Sequence, residues 1–114
     1  MARNTAEQGA RLERRVRAEL EEIGYVTLRS AGSKGKVDVV AFGYDEVLVV
    51  QCKWTNPQIS PAERQGLLEV ELLSGAIPLV ASNDRGKTVW RRLLGPGPKD
   101  WMSWHPRPEG ENDE

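Results

Sequence analysis

The sequence predicts an α/β protein, a single domain in which a mixed five-stranded sheet is flanked by helices. Two segments carry apolar residues at helical spacing and end in capping signals, and five short segments are rich in β-branched and aromatic residues. They follow one another as α-β-β-β-α-β-β, an order that suggests a mixed sheet with helices packed against it. A length of 114 residues fits one hydrophobic core.

The first helix is expected from about Ala6 to Ile23, because Leu12, Val16, Leu20 and Ile23 recur at spacings of four, four and three. Thr5 and Gln8 can form a capping box at its start, and Gly24 stands where a left-handed C-cap belongs. Tyr25 to Ser30 reads as a strand, followed by the basic, glycine-containing loop Ala31 to Lys36. Val37 to Phe42 and Glu46 to Trp54 read as two strands joined by Gly43-Tyr44-Asp45, a hairpin signal. Ser60, Pro61 and Glu63 then mark a second helix start, with Ser60 as N-cap, Pro61 in the first turn and Glu63 closing a capping box. This helix runs to about Ser74 and stops at Gly75. Two further strands, Ile77 to Ser82 and Thr88 to Leu93, flank a turn at Asn83-Asp84-Arg85-Gly86. Beyond Leu94 the composition changes: Gly95-Pro96-Gly97-Pro98 resists regular structure, and the tail adds Trp101, Trp104 and more prolines before an acidic, flexible end.

Composition narrows the setting. The longest apolar run, Val47 to Val50, falls far short of the roughly 20 residues of a membrane span. The opening Met1-Ala2-Arg3-Asn4 has no apolar signal-peptide core behind it. One cysteine, Cys52, cannot form an internal disulfide, and with His105 alone it cannot build a structural zinc site. A cytoplasmic location is expected, with no membrane partner. The net charge of −1 hides an asymmetry, because four of the 17 acids lie in the last six residues and the rest of the chain is at +3. A mildly basic body with an acidic tail permits nucleic-acid binding without demanding it; on charge alone a solvated helix face with a solubilising tail is the preferred reading. Gly32 and Gly35 do not belong to a P-loop, which disfavours nucleotide hydrolysis.

Chemistry concentrates on the third strand and its neighbour. Period-two geometry sets Val47, Val49, Gln51 and Lys53 on one face, and Leu48, Val50, Cys52 and Trp54 on the other. A hairpin centred on Tyr44 brings Asp38 to the same end, so that a carboxylate, an amide and an ammonium converge at one edge of a sheet. Burial of such charges costs several kcal/mol unless they are paired or bound to a metal. One reading is a plain Asp38–Lys53 ion pair. The other is an Mg²⁺ site, since hard cations take carboxylate and carbonyl oxygens, with Lys53 stabilising charge on a phosphoryl oxygen or an attacking water. Glu13, beside the Leu12 stripe, offers a second carboxylate; as an isolated feature, Glu13-Arg14 is equally an ordinary solvated helix face. Cys52 faces away from Gln51 and Lys53 and reads as a small core residue. The four tryptophans can stack on unpaired bases or fill a core or dimer contact, and the core is preferred for Trp90.

Asp38 followed by Gln51-Cys52-Lys53, with a helical glutamate upstream, resembles the PD-(D/E)XK nuclease superfamily. The wider set is more specific. Gly9-Ala10-Arg11-Leu12-Glu13-Arg14, Arg29-Ser30-Ala31-Gly32-Ser33-Lys34, Val37-Asp38, Gln51-Cys52-Lys53 and Gly75 to Ala81 together resemble the archaeal-type (Hjc-type) Holliday junction resolvases over about residues 8 to 93. The resemblance implies a restriction-endonuclease-like fold, with residues 1–94 as the nuclease domain and 95–114 as a tail. It implies Glu13 and Asp38 as metal-binding acids, Gln51 in the third ligand position and Lys53 as the catalytic lysine. Arg14, Arg29 and Ser33 would lie near the scissile phosphate or the DNA backbone, and Lys34 and Lys36 in a loop that touches the junction. It also implies Mg²⁺, with Mn²⁺ expected to substitute, a homodimer, branched DNA as partner, paired symmetric nicks, and a prokaryotic or phage-infected cell.

Gln51 departs from the pattern, for these resolvases usually place a glutamate there. It keeps a carbonyl oxygen for a cation and forfeits a negative charge. Mrr-type nucleases carry Q-x-K at this place, so a nuclease of duplex, flap or modified DNA is the alternative; a DNA-binding module that lost its chemistry is a third. The missing carboxylate can also come from Glu69 or Glu71 of the second helix, although Gln51 with Glu13 compensating is the favoured reading.

Overall fold

The computed structural model describes residues 5–30, 37–55 and 58–107. Within them the elements run α1 (Thr5–Glu22), β1 (Val26–Arg29), β2 (Val39–Phe42), β3 (Val47–Lys53), α2 (Pro61–Ser74), β4 (Ile77–Asp84), β5 (Lys87–Leu93) and β6 (Trp101–Ser103). The strands form one sheet in the order β1-β2-β3-β4-β5-β6. Chain order and sheet order coincide because hairpin or short links join all neighbours except β3 and β4. That pair is parallel, and α2 is the crossover that a parallel pair requires. The expected mixed α/β sheet between helices is therefore present, with six strands rather than five.

The helices cover opposite faces. Leu12, Val16 and Leu20 of α1 are fully buried against Val39, Ala41, Leu48, Val50, Leu79 and Trp90. On the other face, Leu67 of α2 packs with Val49, Ile59, Val80 and Leu93. Caps set the ends of α2: the Ser60 Oγ accepts the Glu63 N–H, Glu63 accepts the Ser60 N–H in return, and Gly75 closes the helix at φ 78°. The α1 helix starts at Thr5, one residue earlier than expected, and the residues before it lie outside the described set. At the β4–β5 turn the strands run further than the sequence suggests, to a two-residue loop of Arg85 and Gly86 with φ of 55° and 87°. Both angles are left-handed, as the twist of a tight hairpin demands.

The sixth strand comes from the segment beyond Leu94. Gly95 to Asp100 turn the chain back, with Asp100 accepting the Gly97 N–H and the Leu94 N–H bonding to the Asp100 carbonyl. β6 then pairs antiparallel with β5, which would otherwise end the sheet with a row of unpaired backbone groups. Trp104 follows and meets Trp90 edge to face, with ring centres 5.2 Å apart. The Arg91 guanidinium lies 3.8 Å from the Trp101 ring centre. Among the described residues no helix is long and apolar enough to cross a membrane.

Trp104→Ala removes an aromatic pair from the edge of the core, and we expect a loss of about 1–2 kcal/mol in urea denaturation with an unchanged m-value. An unaltered midpoint would show that the residue-104 ring adds nothing to the fold.

Candidate active site

The site is set by the β2–β3 register. Val39 pairs with Val50, and the Asp38 N–H donates to the same Val50 residue's carbonyl at 2.8 Å, so that two residues of the β2 segment oppose one of β3, as in a β-bulge. Alternation along β3 sets Gln51 and Lys53 on the α2 side with Val49, while Val50 and Cys52 face α1; the bulge leaves Asp38 at the strand end beside them. The structure thus brings together three of the residues singled out in the sequence.

Asp38 is held from the opposite strand, its Oδ2 accepting the Cys52 backbone N–H at 2.8 Å. Burial pushes its carboxyl above the usual carboxylate range; the Cys52 N–H and the Lys53 cation oppose this, and the nearby Glu63 charge adds to it. Gln51 is buried, at 8% exposure, and its Oε1 has no hydrogen-bond partner among the described residues. Buried carbonyl oxygens are nearly always satisfied, so this orphan at the strand end is a candidate ligand for a cation or acceptor for a further donor. The Lys53 Nζ donates to the Glu63 Oε2 at 2.8 Å.

Glu63 is the residue that sequence reasoning missed. The capping box accounted for it completely, and its other carboxylate oxygen was left without a task. Burial tends to raise its carboxyl, but hydrogen bonds from Lys53 and from Ser60 outweigh this and bring it below the usual range. Glu69 and Glu71, the helix residues considered as replacement ligands, lie about 9 and 12 Å further along the α2 axis than Glu63. It is the N-terminus of α2 that faces the site.

Glu13 reaches this region from the other side of the sheet. It accepts from the Arg29 Nε at 3.0 Å, with Arg29 on the α1 face of β1. Its link to the rest is Cys52, whose thiol is pushed far up by burial and by the negative charges of Asp38 and Glu13. That excludes Cys52 as a nucleophile near neutral pH. Arg14 is exposed on α1. Ser33, Lys34 and Lys36 lie outside the described residues. Trp54 continues β3 beyond Lys53 and lies under the Arg11 and Arg15 guanidinium groups, each 6.0 Å from its ring centre.

Among the described residues no three Asp, Glu, His or Cys side chains gather into a metal cage. The donors present are nonetheless all oxygen: the Asp38 carboxylate, the orphaned Gln51 carbonyl and, across the strand end, Glu13. This set suits a hard divalent cation that takes its remaining ligands from water or substrate.

The depression of the Glu63 carboxyl has a sign that can be tested. A carboxyl depressed in the folded chain contributes stability above the ordinary glutamate range and loses it as pH falls through the folded value. Glu63→Gln keeps a cap acceptor and removes the charge. Wild type should therefore exceed the variant by about 0.5 kcal/mol near neutrality, since half-exposed pairs are weak, with the gap closing below about pH 4. Urea midpoints across pH measure this, and a gap that widens in acid would refute the pairing.

Comparisons with known proteins agree with this geometry. The profile of the archaeal Holliday junction resolvase (Hjc) family matches residues 4–94. The crossover junction endodeoxyribonuclease Hjc of Methanocaldococcus jannaschii is 31% identical over 91 residues, covering 77% of this chain and 68% of that protein. The crystal structure of Hjc from Archaeoglobus fulgidus, a Holliday junction resolvase from an archaeal hyperthermophile, superposes with a TM-score of 0.62 at 27% identity, covering 75% of this chain and 70% of that one. With the profile covering most of the chain and the fold in agreement, this chain belongs to the archaeal Holliday junction resolvase family.

Proposed function

We infer that this chain is a metal-dependent, structure-specific DNA endonuclease that resolves four-way junctions by paired symmetric nicks. The observation that carries the reading is the junction of Asp38, the orphaned Gln51 carbonyl and Lys53 at one strand end, within a chain of this family. Asp38, Gln51 and Glu13 would hold the cation, which we assign as Mg²⁺ from the all-oxygen donor set, with Mn²⁺ as substitute. A divalent ion bound there supplies Lewis acidity toward the scissile phosphate. In the hydrolysis a water oxygen forms a new bond to phosphorus, the bridging P–O bond breaks and the leaving oxygen takes a proton. Lys53 offsets the charge that grows on the non-bridging oxygens, where a fixed ammonium in a half-buried setting is worth more than in water.

Arg14, Arg29, Ser33, Lys34 and Lys36 are proposed to hold the DNA backbone. The Arg29 side chain is 57% exposed, so its pair with Glu13 is weak and readily exchanged for a phosphate. We accordingly propose a cytoplasmic location, in a prokaryotic or phage-infected cell.

Two nicks related by symmetry call for two sites related by a twofold axis, and we propose a homodimer. The α2 side of β1 and β2 leaves Val26, Leu28 and Phe42 exposed, and α2 exposes Leu72 and Leu73 at 83% and 81%. Apolar side chains of this size on one chain favour a covered face.

The test of function compares a four-way junction with linear duplex of the same sequence in Mg²⁺. Paired nicks in the junction alone are expected, with Asp38→Asn and Lys53→Ala each lowering the rate by about 10²–10³-fold or more while junction binding persists. Equal cutting of duplex would point to a nuclease of broader substrate, and binding without any cutting to a module that has lost its chemistry. For assembly, Leu72→Glu with Leu73→Glu should shift sedimentation from dimer to monomer. A wild type that sediments as a monomer at micromolar concentration would rule the dimer out.

A further inference from the structure

The carboxylate of Glu63 is divided between two tasks. Its Oε1 accepts the Ser60 N–H at 2.8 Å, and its Oε2 accepts the Lys53 Nζ, also at 2.8 Å. The first bond, with the Glu63 N–H donating to the Ser60 Oγ at 3.1 Å, locks the side chain to the start of α2 whatever Lys53 does. A cap of this kind needs one acceptor oxygen, and glutamine supplies it as well as glutamate. The cap itself therefore does not require the negative charge, which the lysine uses. A free lysine side chain samples many rotamers, so an ammonium that must meet a developing charge gains from being held beforehand.

The place of the pair adds to this. Lys53 is half-buried, on the same side of the sheet as Gln51, and Asp38 feels both the Lys53 and the Glu63 charge. Gln51, between them, is neutral, so β3 itself offers Lys53 no carboxylate. The α2 N-terminus favours an anion at its third residue through the helix dipole.

We propose that Glu63 is a positioning residue, holding the Lys53 ammonium at the strand end and supplying from α2 the negative charge that Gln51 does not bring. The activity arm of this proposal rests on the endonuclease reading; the structural arm does not. In the first arm, the full-length protein cuts a labelled four-way junction in Mg²⁺ under single-turnover conditions. Glu63→Gln is expected to slow cleavage about 10-fold or more, with junction affinity within about twofold of wild type and the cap preserved. Gln51→Glu added to Glu63→Gln is expected to restore the rate to within a few-fold of wild type, an outcome that a cap or a packing role would not produce. A Glu63→Gln variant as fast as wild type would overturn the proposal, and so would a double variant that stays slow.

In the second arm, NMR of protein carrying ¹⁵N-labelled lysine reads the Lys53 ammonium without substrate or metal. A held ammonium exchanges its protons slowly. The Lys53 signal is expected in wild type and in Ser60→Ala, which keeps the carboxylate, and is expected to broaden away in Glu63→Gln. An unchanged signal in Glu63→Gln would overturn the holding role. A wild type that cuts no DNA while its Lys53 signal depends on Glu63 would instead defeat the endonuclease reading alone.

Discussion

The register between β2 and β3 is the constraint on which the rest depends. Because side chains alternate, the pairing of Val39 with Val50 decides at once which residues fill the core under α1 and which face the site. A slip by one residue would bring Cys52 to the α2 side, bury Lys53 under α1 and part Asp38 from the Cys52 N–H. Core burial and chemistry are thus specified by the same hydrogen-bond ladder. The apolar residues Val39, Ala41, Leu48 and Val50, all fully buried, fix the register far more strongly than any polar contact at the strand end. The site is left free to carry unsatisfied groups, such as the Gln51 carbonyl, that would weaken a fold held by polar contacts alone.

Two faces of one sheet end then contribute different chemistry. From the α2 side come a neutral amide and a paired ammonium, from the α1 side comes Glu13, tied to Arg29, and the half-buried Asp38 carboxylate lies at the strand end, held by the Cys52 N–H. The Cys52 thiol lies between, sensing both Asp38 and Glu13. The two acids therefore approach a common region around the edge of β3 rather than across an open cleft. This explains why the described residues hold no ready-made cage of three acids. Bringing Glu13 and Asp38 onto one cation would loosen the Glu13–Arg29 pair, and a DNA phosphate near Arg29 is a natural competitor for that guanidinium.

Much of this was legible in the sequence, and the reasons differ from residue to residue. The α2 caps were readable because Ser60, Pro61, Glu63 and Gly75 each have one local physical use, and they occur in the right order. Asp38, Gln51 and Lys53 were readable because polar residues interrupt apolar strands and a short hairpin fixes the pairing. β6 was not, since Gly95-Pro96-Gly97-Pro98 signals a break and nothing local says that the chain resumes a strand afterwards. What makes it a strand is tertiary: the open edge of β5 and the apolar face of Trp90. The separation of Glu13 from the α2-side residues was also hidden, for helical periodicity gives a face and not the side of the sheet on which the helix lies.

Glu63 illustrates the deeper limit. A residue whose local role is complete invites no second question, yet a carboxylate has two oxygens and a capping box engages one. The second oxygen finds its partner only when the crossover between β3 and β4 returns α2 with its N-terminus beside the end of β3. Parallel connections do this by construction: the crossover helix begins near the C-terminal end of the strand it leaves, so its first turn overlooks whatever that strand presents there. In this chain the strand presents Gln51 and Lys53. The same topology that fills the core with Leu67 therefore delivers an anion, favoured by the helix dipole, to the one ammonium that the β3 strand leaves without a carboxylate of its own.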